Sequence, residues 1–297
     1  FTFQDATIKS NLQRLQYFKN KSKLFGGFRG VFEKTIAKYN GFEMDFLNDA
    51  GILSYKLLNN KNIPNINTYN RKIVLINVIN IFGIDALKSK KQSYLEYNFH
   101  INKILLQLSV YLINNGYFIL IVPFDKNELK FENNMFIKLK KLLKPQQHKF
   151  VQKFSSLCTF DIHNFLNIIN KVHIAVSTRL HCNIICNSLL IPTINIAYGI
   201  KSINYSVTNN LTSYTIPTYS SILQIDTIKS IFHNINNDYT KIKKHLLDIR
   251  KLAEKKYYHT ILDILKQFNL KNYKYYNFIL KSQTNYNNIF DLVFYNK

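Results

Sequence analysis

Disulfide bonds are the first feature that this sequence excludes, because it holds only three cysteines in 297 residues. Cys182 and Cys186 share one face of a predicted helix beside His181, so a metal site has to be considered. No second pair of ligands follows at a spacing typical of zinc. We therefore expect no metal and interpret both cysteines as small, buried apolar residues.

Long apolar runs are also missing, so the sequence predicts no membrane-spanning helix. The best candidate, residues 104–124, is interrupted by four polar residues and a glycine: Gln107, Ser109, Asn114, Asn115 and Gly116. The first residue is Phe1 rather than methionine, so we expect the native N-terminus, with any targeting signal, to precede this sequence.

Acidic residues are scarce, since 17 Asp and Glu stand against 40 Lys and Arg, a formal net charge of +23. Such a charge can indicate a nucleic-acid-binding protein. The lysines, however, are scattered along the whole chain, as an AT-rich coding sequence produces them. The densest groups, 138–144 and 241–256, have the pattern of solvated faces of amphipathic helices. We expect no specific nucleic-acid partner, but a surface that favours anionic substrates or membrane headgroups.

Strands and helices alternate after residue 70. Apolar runs of strand length occur at 72–79, 117–124, 171–176 and 192–197, and shorter ones at 148–154 and 213–217. Segments with helical spacing of apolar residues lie between and after them, at about 94–115, 129–143, 162–170, 180–190, 226–236 and 240–267. This alternation predicts βαβ units and therefore an α/β fold with a Rossmann-like, doubly wound parallel sheet.

The segment before residue 71 has a different pattern. Residues 1–60 contain a strand end at Arg29, a helix over about 31–39 and a second strand end at 49–53, which together indicate the C-terminal remnant of a preceding Rossmann-like domain. A polar stretch without an apolar period predicts a linker over 61–70. Residues 71–267 then form the second Rossmann-like domain, and 268–297 form a tail whose packing we do not predict.

Charged side chains follow the predicted strand 171–176. In a doubly wound sheet, ligands bind beyond the carboxyl ends of the strands. Ser177 or Thr178 is the expected cap of the next helix, so Arg179 and His181 lie in its first turn. There the free backbone N–H groups and the helix dipole favour an anion. Cations placed in that turn therefore suggest an external anion that binds between them.

The neighbouring predicted strand, 192–197, ends beside this turn, and Tyr198 and Lys201 follow it. Arg179 offers a planar fork that suits a carboxylate or phosphate, while Lys201 offers a point charge. His181 can change its protonation near neutral pH. Together these residues predict a pocket for a small, doubly anionic molecule.

Each residue also has a simpler interpretation. Arg179 could pair with a carboxylate such as Asp161, His181 could be an ordinary helix residue, and Lys201 could be solvated. Three such residues at one edge of one sheet nevertheless favour a functional site.

The stretch "VHIAVSTRLHCNIICNSLLIPTINIAYGIKS", residues 172–202, resembles the polysaccharide pyruvyl transferase family. In that family, a strand ending in Arg-Leu-His leads into an apolar helix, a Val/Ile-Pro strand and a Tyr followed by Lys. Two weaker elements agree in order and spacing: "FRGVFEKTIAKYNGFEMDFLNDAGIL" at 28–53 and "YFILIVPF" at 117–124 with Asp125. The family's Gly- and Asn-containing opening loop is not found, which implies an incomplete N-terminal domain.

The resemblance implies two Rossmann-like domains arranged as in GT-B glycosyltransferases, with residues 71–267 binding the donor. It implies transfer of the pyruvyl group of phosphoenolpyruvate to a glycan or glycolipid as a cyclic ketal, with no cofactor beyond that donor substrate. It carries Arg179 and His181 as donor-site residues, with Tyr198 and Lys201 as additions, and Arg29 matches the arginine of the Arg-Gly element. We predict catalytic roles for His181 and Arg179. We predict substrate binding by four residues: Lys201, Tyr198, Thr178 and Arg29.

Two alternatives stay open at this point. A GT-B-type glycosyltransferase could use the same cations to bind the diphosphate of a nucleotide sugar, and a degenerate basic module could bind anionic partners without catalysis. The acceptor sugar and the oligomeric state are also open. For the compartment, the cytoplasm or the periphery of a membrane is favoured.

Overall fold

The computed structural model describes residues 30–39, 47–58, 65–77, 91–124, 128–157, 162–218 and 221–267. The chain divides into two compact units, one made of Phe1–Lys56 with Asp248–Lys297 and the other of Leu57–Leu247. The predicted tail at 268–297 lies outside the described residues, as do Arg29, Asp125, Cys158 and Asp161.

The second unit is built on a parallel sheet that has six strands among the described residues. They are β1 (Ile73–Asn77), β2 (Phe118–Ile121), β3 (Val151–Lys153), β4 (Val172–Ser177), β5 (Thr193–Ala197) and β6 (Thr215–Pro217). All pairings are parallel and the order is β3-β2-β1-β4-β5-β6. This is the strand order of the Rossmann fold, and the prediction of a doubly wound α/β sheet is confirmed.

The central strands are buried along their whole length, which explains their unbroken apolar sequences. Every residue of β1, β2 and β5 is buried. A strand covered by helices on both faces has no solvent side and therefore no polar alternation.

Helices of the second unit connect and cover the strands. They are α2 (Lys91–Asn114), α3 (Leu129–Leu142), α4 (Ile162–Ile169), α5 (Leu180–Ser188), α6 (Ile200–Thr208) and α7 (Ile225–Asn237). Helix α1 (Val31–Tyr39) belongs to the first unit, and α8 (Tyr239–Gln267) begins in the second unit and continues into the first. Fully buried residues recur at helical spacing, as Leu105, Leu108 and Leu112 do in α2. None of the described helices is long and apolar enough to cross a membrane.

The predicted strand end at 49–53 is wrong, because the chain forms a 3-10 helix over Ala50–Leu57. Asn48 has a φ of 71°, which breaks an extended conformation. The carboxylate of Asp49 accepts the N–H of Gly51 at 3.0 Å, and its carbonyl accepts the N–H of Ile52 at 3.0 Å. These local hydrogen bonds favour a tight turn over a strand.

Helix α6 was not predicted, because its buried face is polar. Ser202 and Ser206 are buried, whereas Ile200 is exposed. Asn195 of β5 explains this inversion, since its amide donates to the hydroxyl of Ser206 at 3.0 Å and to the carbonyl of Ser202 at 3.3 Å. A helix anchored by buried hydrogen bonds lacks the apolar periodicity that reveals helices in a sequence.

Gly116 ends α2 with a φ of 84°. Its N–H donates to the carbonyl of Ile113 at 3.2 Å, and that of Tyr117 donates to Leu112 at 3.0 Å. This pair of bonds is a Schellman motif, which needs a left-handed residue after the helix. The predicted helix C-cap at Gly116 is confirmed.

We expect Gly116→Ala to lower the free energy of unfolding by about 1–2 kcal/mol, since an L-residue is strained in this conformation. A β-carbon here would meet nothing within 4 Å, so the cost is one of backbone alone. Gly199 is the matched control, because it also has open space but a φ of −155°. Chemical denaturation should show a smaller loss, about 0.5 to 1 kcal/mol, for Gly199→Ala, which replaces a favourable N-cap residue of α6 without backbone strain. Equal losses in the two variants would contradict this account.

Candidate functional site

The candidate site lies at the carboxyl edge of the sheet, where the strand order reverses between β1 and β4. Open α/β sheets bind ligands in the crevice at this switch point. β1 ends there with Asn77 and β4 ends with Ser177, and these two residues are register partners. Glu128, which directly precedes α3, lies at the same edge.

A closed set of hydrogen bonds joins the strand ends. Asn77 Oδ1 accepts the hydroxyl of Ser177 at 3.1 Å and the backbone N–H of Arg179 at 3.2 Å. Its amide nitrogen donates to the carbonyl of Val122 at 3.0 Å and to Glu128 Oε2 at 3.4 Å. We call Asn77, Glu128, Ser177 and Arg179 the switch-point network.

The charged members of this network form an ion pair. Arg179 Nε lies 2.5 Å from Glu128 Oε1, and the side chains are 29% and 3% exposed, respectively. The other oxygen of Glu128 accepts the N–H of Phe124 at 2.7 Å. A carboxylate this deeply buried is tolerated because it is both paired and hydrogen-bonded. Glu128 therefore fixes the orientation of the guanidinium at the rim of the sheet.

The predicted capping of α5 by Ser177 or Thr178 is wrong. Arg179 is the N-cap residue, and its side chain makes no capping hydrogen bond. The Ser177 hydroxyl is engaged by the network, where it accepts the N–H of Arg179 at 3.0 Å. Thr178 is fully buried, and its hydroxyl has no hydrogen-bond partner in the part of the chain that the structure describes. His181 lies in the first turn of α5 and is exposed.

The loop after β5 leaves the sheet beside the loop after β4. Ser177 pairs with Asn195 in the parallel register of these strands, so Tyr198 and Lys201 emerge from the same edge. Lys201 is half-buried in the first turn of α6, which begins after Gly199. This register agrees with the prediction that the loops after two neighbouring strands bring charged residues to one edge of the sheet.

Tyr198 lies within electrostatic reach of the switch-point network. Burial raises the pKa of its phenol, the positive charge of Arg179 opposes that rise, and the negative charge of Glu128 adds to it. Its hydroxyl therefore stays neutral at physiological pH. The structure thus brings together Arg179 and Tyr198, two of the predicted site residues.

Two residues of the network were not predicted as part of the site. The sequence gives a weak indication that Asn77 has a role in the site, because it is the only polar residue among the apolar residues of β1. It gives none for Glu128, since the contacts of this residue with Asn77 and Arg179 each span 51 residues. Nothing local distinguishes it from the other carboxylates of the chain.

Cys182 and Cys186 are free and buried, which confirms their interpretation as small core residues. Burial raises the pKa of the Cys182 thiol well above its ordinary value, so the metal-binding thiolate is disfavoured. Within the described ranges, no group of three His, Cys, Asp or Glu side chains could hold a metal ion.

The geometry defines a Rossmann-like domain with basic side chains at the carboxyl edge of its sheet. The model of the polysaccharide pyruvyl transferase family matches residues 51–200, half of the 297-residue chain. The chain belongs to this family. The matched stretch includes the whole switch-point network, His181 and Tyr198, whereas Lys201 and Arg29 lie outside it.

The solved structure of E. coli ADP-heptose LPS heptosyltransferase II is similar to this chain, with a TM-score of 0.40 and 12% identity. The similarity covers 63% of this chain and 51% of that one, so the chain spans about half the length of the heptosyltransferase. None of the curated proteins compared with this sequence matches it.

We expect Glu128→Ala to lower the free energy of unfolding by about 1–3 kcal/mol, because it removes the carboxylate that pairs with Arg179 Nε and accepts the Phe124 N–H. Glu128→Gln keeps an acceptor oxygen and should cost less. The control is Asp226→Ala, which breaks an ion pair of 2.9 Å between Lys229 and a largely exposed carboxylate. Exposed pairs contribute at most about 1 kcal/mol. Urea titrations that show no greater loss for Glu128→Ala than for the control would refute a supporting role for the network.

Proposed function

We propose that this protein transfers the pyruvyl group of phosphoenolpyruvate to two hydroxyl groups of a glycan or glycolipid, forming a cyclic ketal and releasing phosphate. The observation that carries the proposal is the family match, which spans the edge of the sheet where Arg179 is held by a buried carboxylate. No cofactor is needed in this scheme beyond the donor substrate.

Phosphoenolpyruvate is a compact dianion, and the candidate site suits its charge. The guanidinium of Arg179 is oriented by Glu128 through Nε and remains partly exposed at the sheet rim. Lys201 leaves the neighbouring strand, and the N-terminus of α5 adds its backbone N–H groups. We propose that Arg179 binds the carboxylate or phosphate as a fork and that Lys201 supplies a second charge.

Tyr198 adds a neutral hydroxyl beside these charges, because burial raises its pKa. We propose that it orients the donor by hydrogen bonding. We also propose that Thr178 and Arg29 take part in substrate binding. Thr178 is buried directly after β4, and Arg29 lies outside the described residues.

The reaction needs balanced proton movement. Two sugar oxygens form bonds to the central carbon of phosphoenolpyruvate, whose bond to the phosphate oxygen breaks with the electron pair leaving on phosphate. One hydroxyl proton ends on the methylene carbon, which becomes a methyl group, and the other leaves with phosphate. We propose that His181 delivers or collects these protons, since an imidazole can both donate and accept a proton and this one is exposed in the first turn of α5.

Departure of phosphate places negative charge on an oxygen that water would otherwise stabilise. A fixed cation such as Arg179 is suited to this electrostatic role, because Glu128 sets its orientation before the reaction begins, and Lys201 adds a second positive charge.

We expect His181→Ala to reduce turnover by about a hundred- to ten-thousand-fold, the usual contribution of a general acid or base. Its stability should change by at most about 0.5 kcal/mol, because the side chain is exposed. Labelled phosphoenolpyruvate with galactose-terminated or amino-sugar acceptors measures the transfer. His259→Ala, at another exposed histidine in the other compact unit, should keep full turnover.

Two results would contradict the proposal. The first is the absence of label transfer by a protein that unfolds cooperatively. The second is a thermal shift with nucleotide sugars but none with phosphoenolpyruvate, which would instead favour a glycosyltransferase.

A further inference from the structure

An open groove runs between α2 and α3 on the unit that contains the sheet. Its volume is about 160 Å³, and its lining consists of apolar side chains with a few polar ones: Asn102, Leu106, Phe131, Asn134, Met135 and Lys138. The three apolar residues, Leu106, Phe131 and Met135, give the groove a hydrophobic character.

Exposed apolar side chains extend this groove at both ends. Phe99 lies one turn before Asn102 on the same face of α2 and is 69% exposed. Leu142 lies one turn after Lys138 on α3 and is 59% exposed. Ile137, which is 45% exposed, lies outside the groove on the exposed side of α3, one turn before Lys141. We call the groove with Phe99, Ile137 and Leu142 the α2–α3 face.

Among the side chains that the structure describes on α2 and α3, the exposed charges near this face are positive. The exposed residues of α3 are lysine, asparagine and apolar residues: Lys130, Asn133, Asn134, Ile137, Lys138, Lys141 and Leu142. The carboxylate within α3, Glu132, is buried. Lys103 of α2 and Lys144 after α3 are also exposed. Helix α8 differs, because its exposed lysines are interspersed with the exposed carboxylates of Asp248 and Asp263.

We propose that the α2–α3 face docks onto a membrane surface that carries anionic headgroups. Exposed apolar side chains flanked by lysines are the pattern of helices that lie in the interface of a bilayer. The lysines would pair with headgroup phosphates, while Phe99, Ile137 and Leu142 would enter the boundary between headgroups and acyl chains. The net charge of +23 attracts the protein to the same surface.

The Phe99 end of the α2–α3 face lies toward the candidate site, whereas Leu142 is at the far end of α3. Helices α2 and α3 each follow a strand of a parallel sheet, so both begin at the carboxyl edge where the switch-point network lies. The docking itself does not depend on the proposed function, since it rests only on the groove and its lysines.

The test measures binding of the whole chain to vesicles by co-sedimentation. We expect binding to phosphatidylcholine vesicles that contain phosphatidylglycerol and little binding to pure phosphatidylcholine. Each lysine near an anionic surface strengthens binding about fivefold, so Lys138→Glu with Lys141→Glu should weaken it at least 25-fold. Lys241→Glu with Lys244→Glu makes the same charge change at exposed positions of α8 and should weaken it no more than about threefold.

A second variant separates apolar insertion from charge. Ile137→Ser with Leu142→Ser keeps every lysine and should abolish the part of the binding that survives high salt. Absence of binding to the anionic vesicles, or equal weakening by both pairs of lysine variants, would overturn the proposal. Light scattering that shows self-association lost in the Ile137 and Leu142 variant, with vesicle binding unchanged, would assign the face to a second copy of the chain instead.

Discussion

The ion pair between Glu128 and Arg179 joins the ends of β2 and β4 across the end of β1, where Asn77 contacts both partners. Burial of a carboxylate is costly unless its oxygens are paired, so the three strand ends have to meet for this arrangement to form. The fold therefore sets the position of Arg179. A cation whose orientation is fixed by the scaffold can bind an anion without paying the entropy of ordering a long side chain.

The features of the site follow from the parallel topology. Because β4 and β5 are adjacent and parallel, the turn with Arg179 and His181 and the turn with Tyr198 and Lys201 leave the sheet at one edge. The strand order reverses between β4 and its other neighbour, β1. Such a reversal leaves a crevice at the carboxyl edge of the sheet. The family match covers residues 51–200, a range that includes the ends of β1, β4 and β5 at this edge.

The fold could be predicted where sequence pattern and burial coincide. The runs at 72–79 and 192–197 are apolar because β1 and β5 are covered on both faces, and Gly116 marks a left-handed helix end. Helix α6 was missed because its buried face is polar, and the 3-10 helix was missed because Asn48 and Asp49 act through local hydrogen bonds. Glu128 could not be found, since its role depends on contacts across 51 residues.

The central claim is that Arg179, held by the switch-point network, binds a small dianion. Isothermal titration of phosphoenolpyruvate into the wild-type protein and the Arg179→Ala variant tests it most directly. We expect one phosphoenolpyruvate to bind per chain of the wild-type protein. Arg179→Ala removes charge-assisted hydrogen bonds of about 1.5–3 kcal/mol, so the dissociation constant should rise about 10- to 150-fold in the variant. Unchanged affinity in a folded Arg179→Ala protein would contradict the claim.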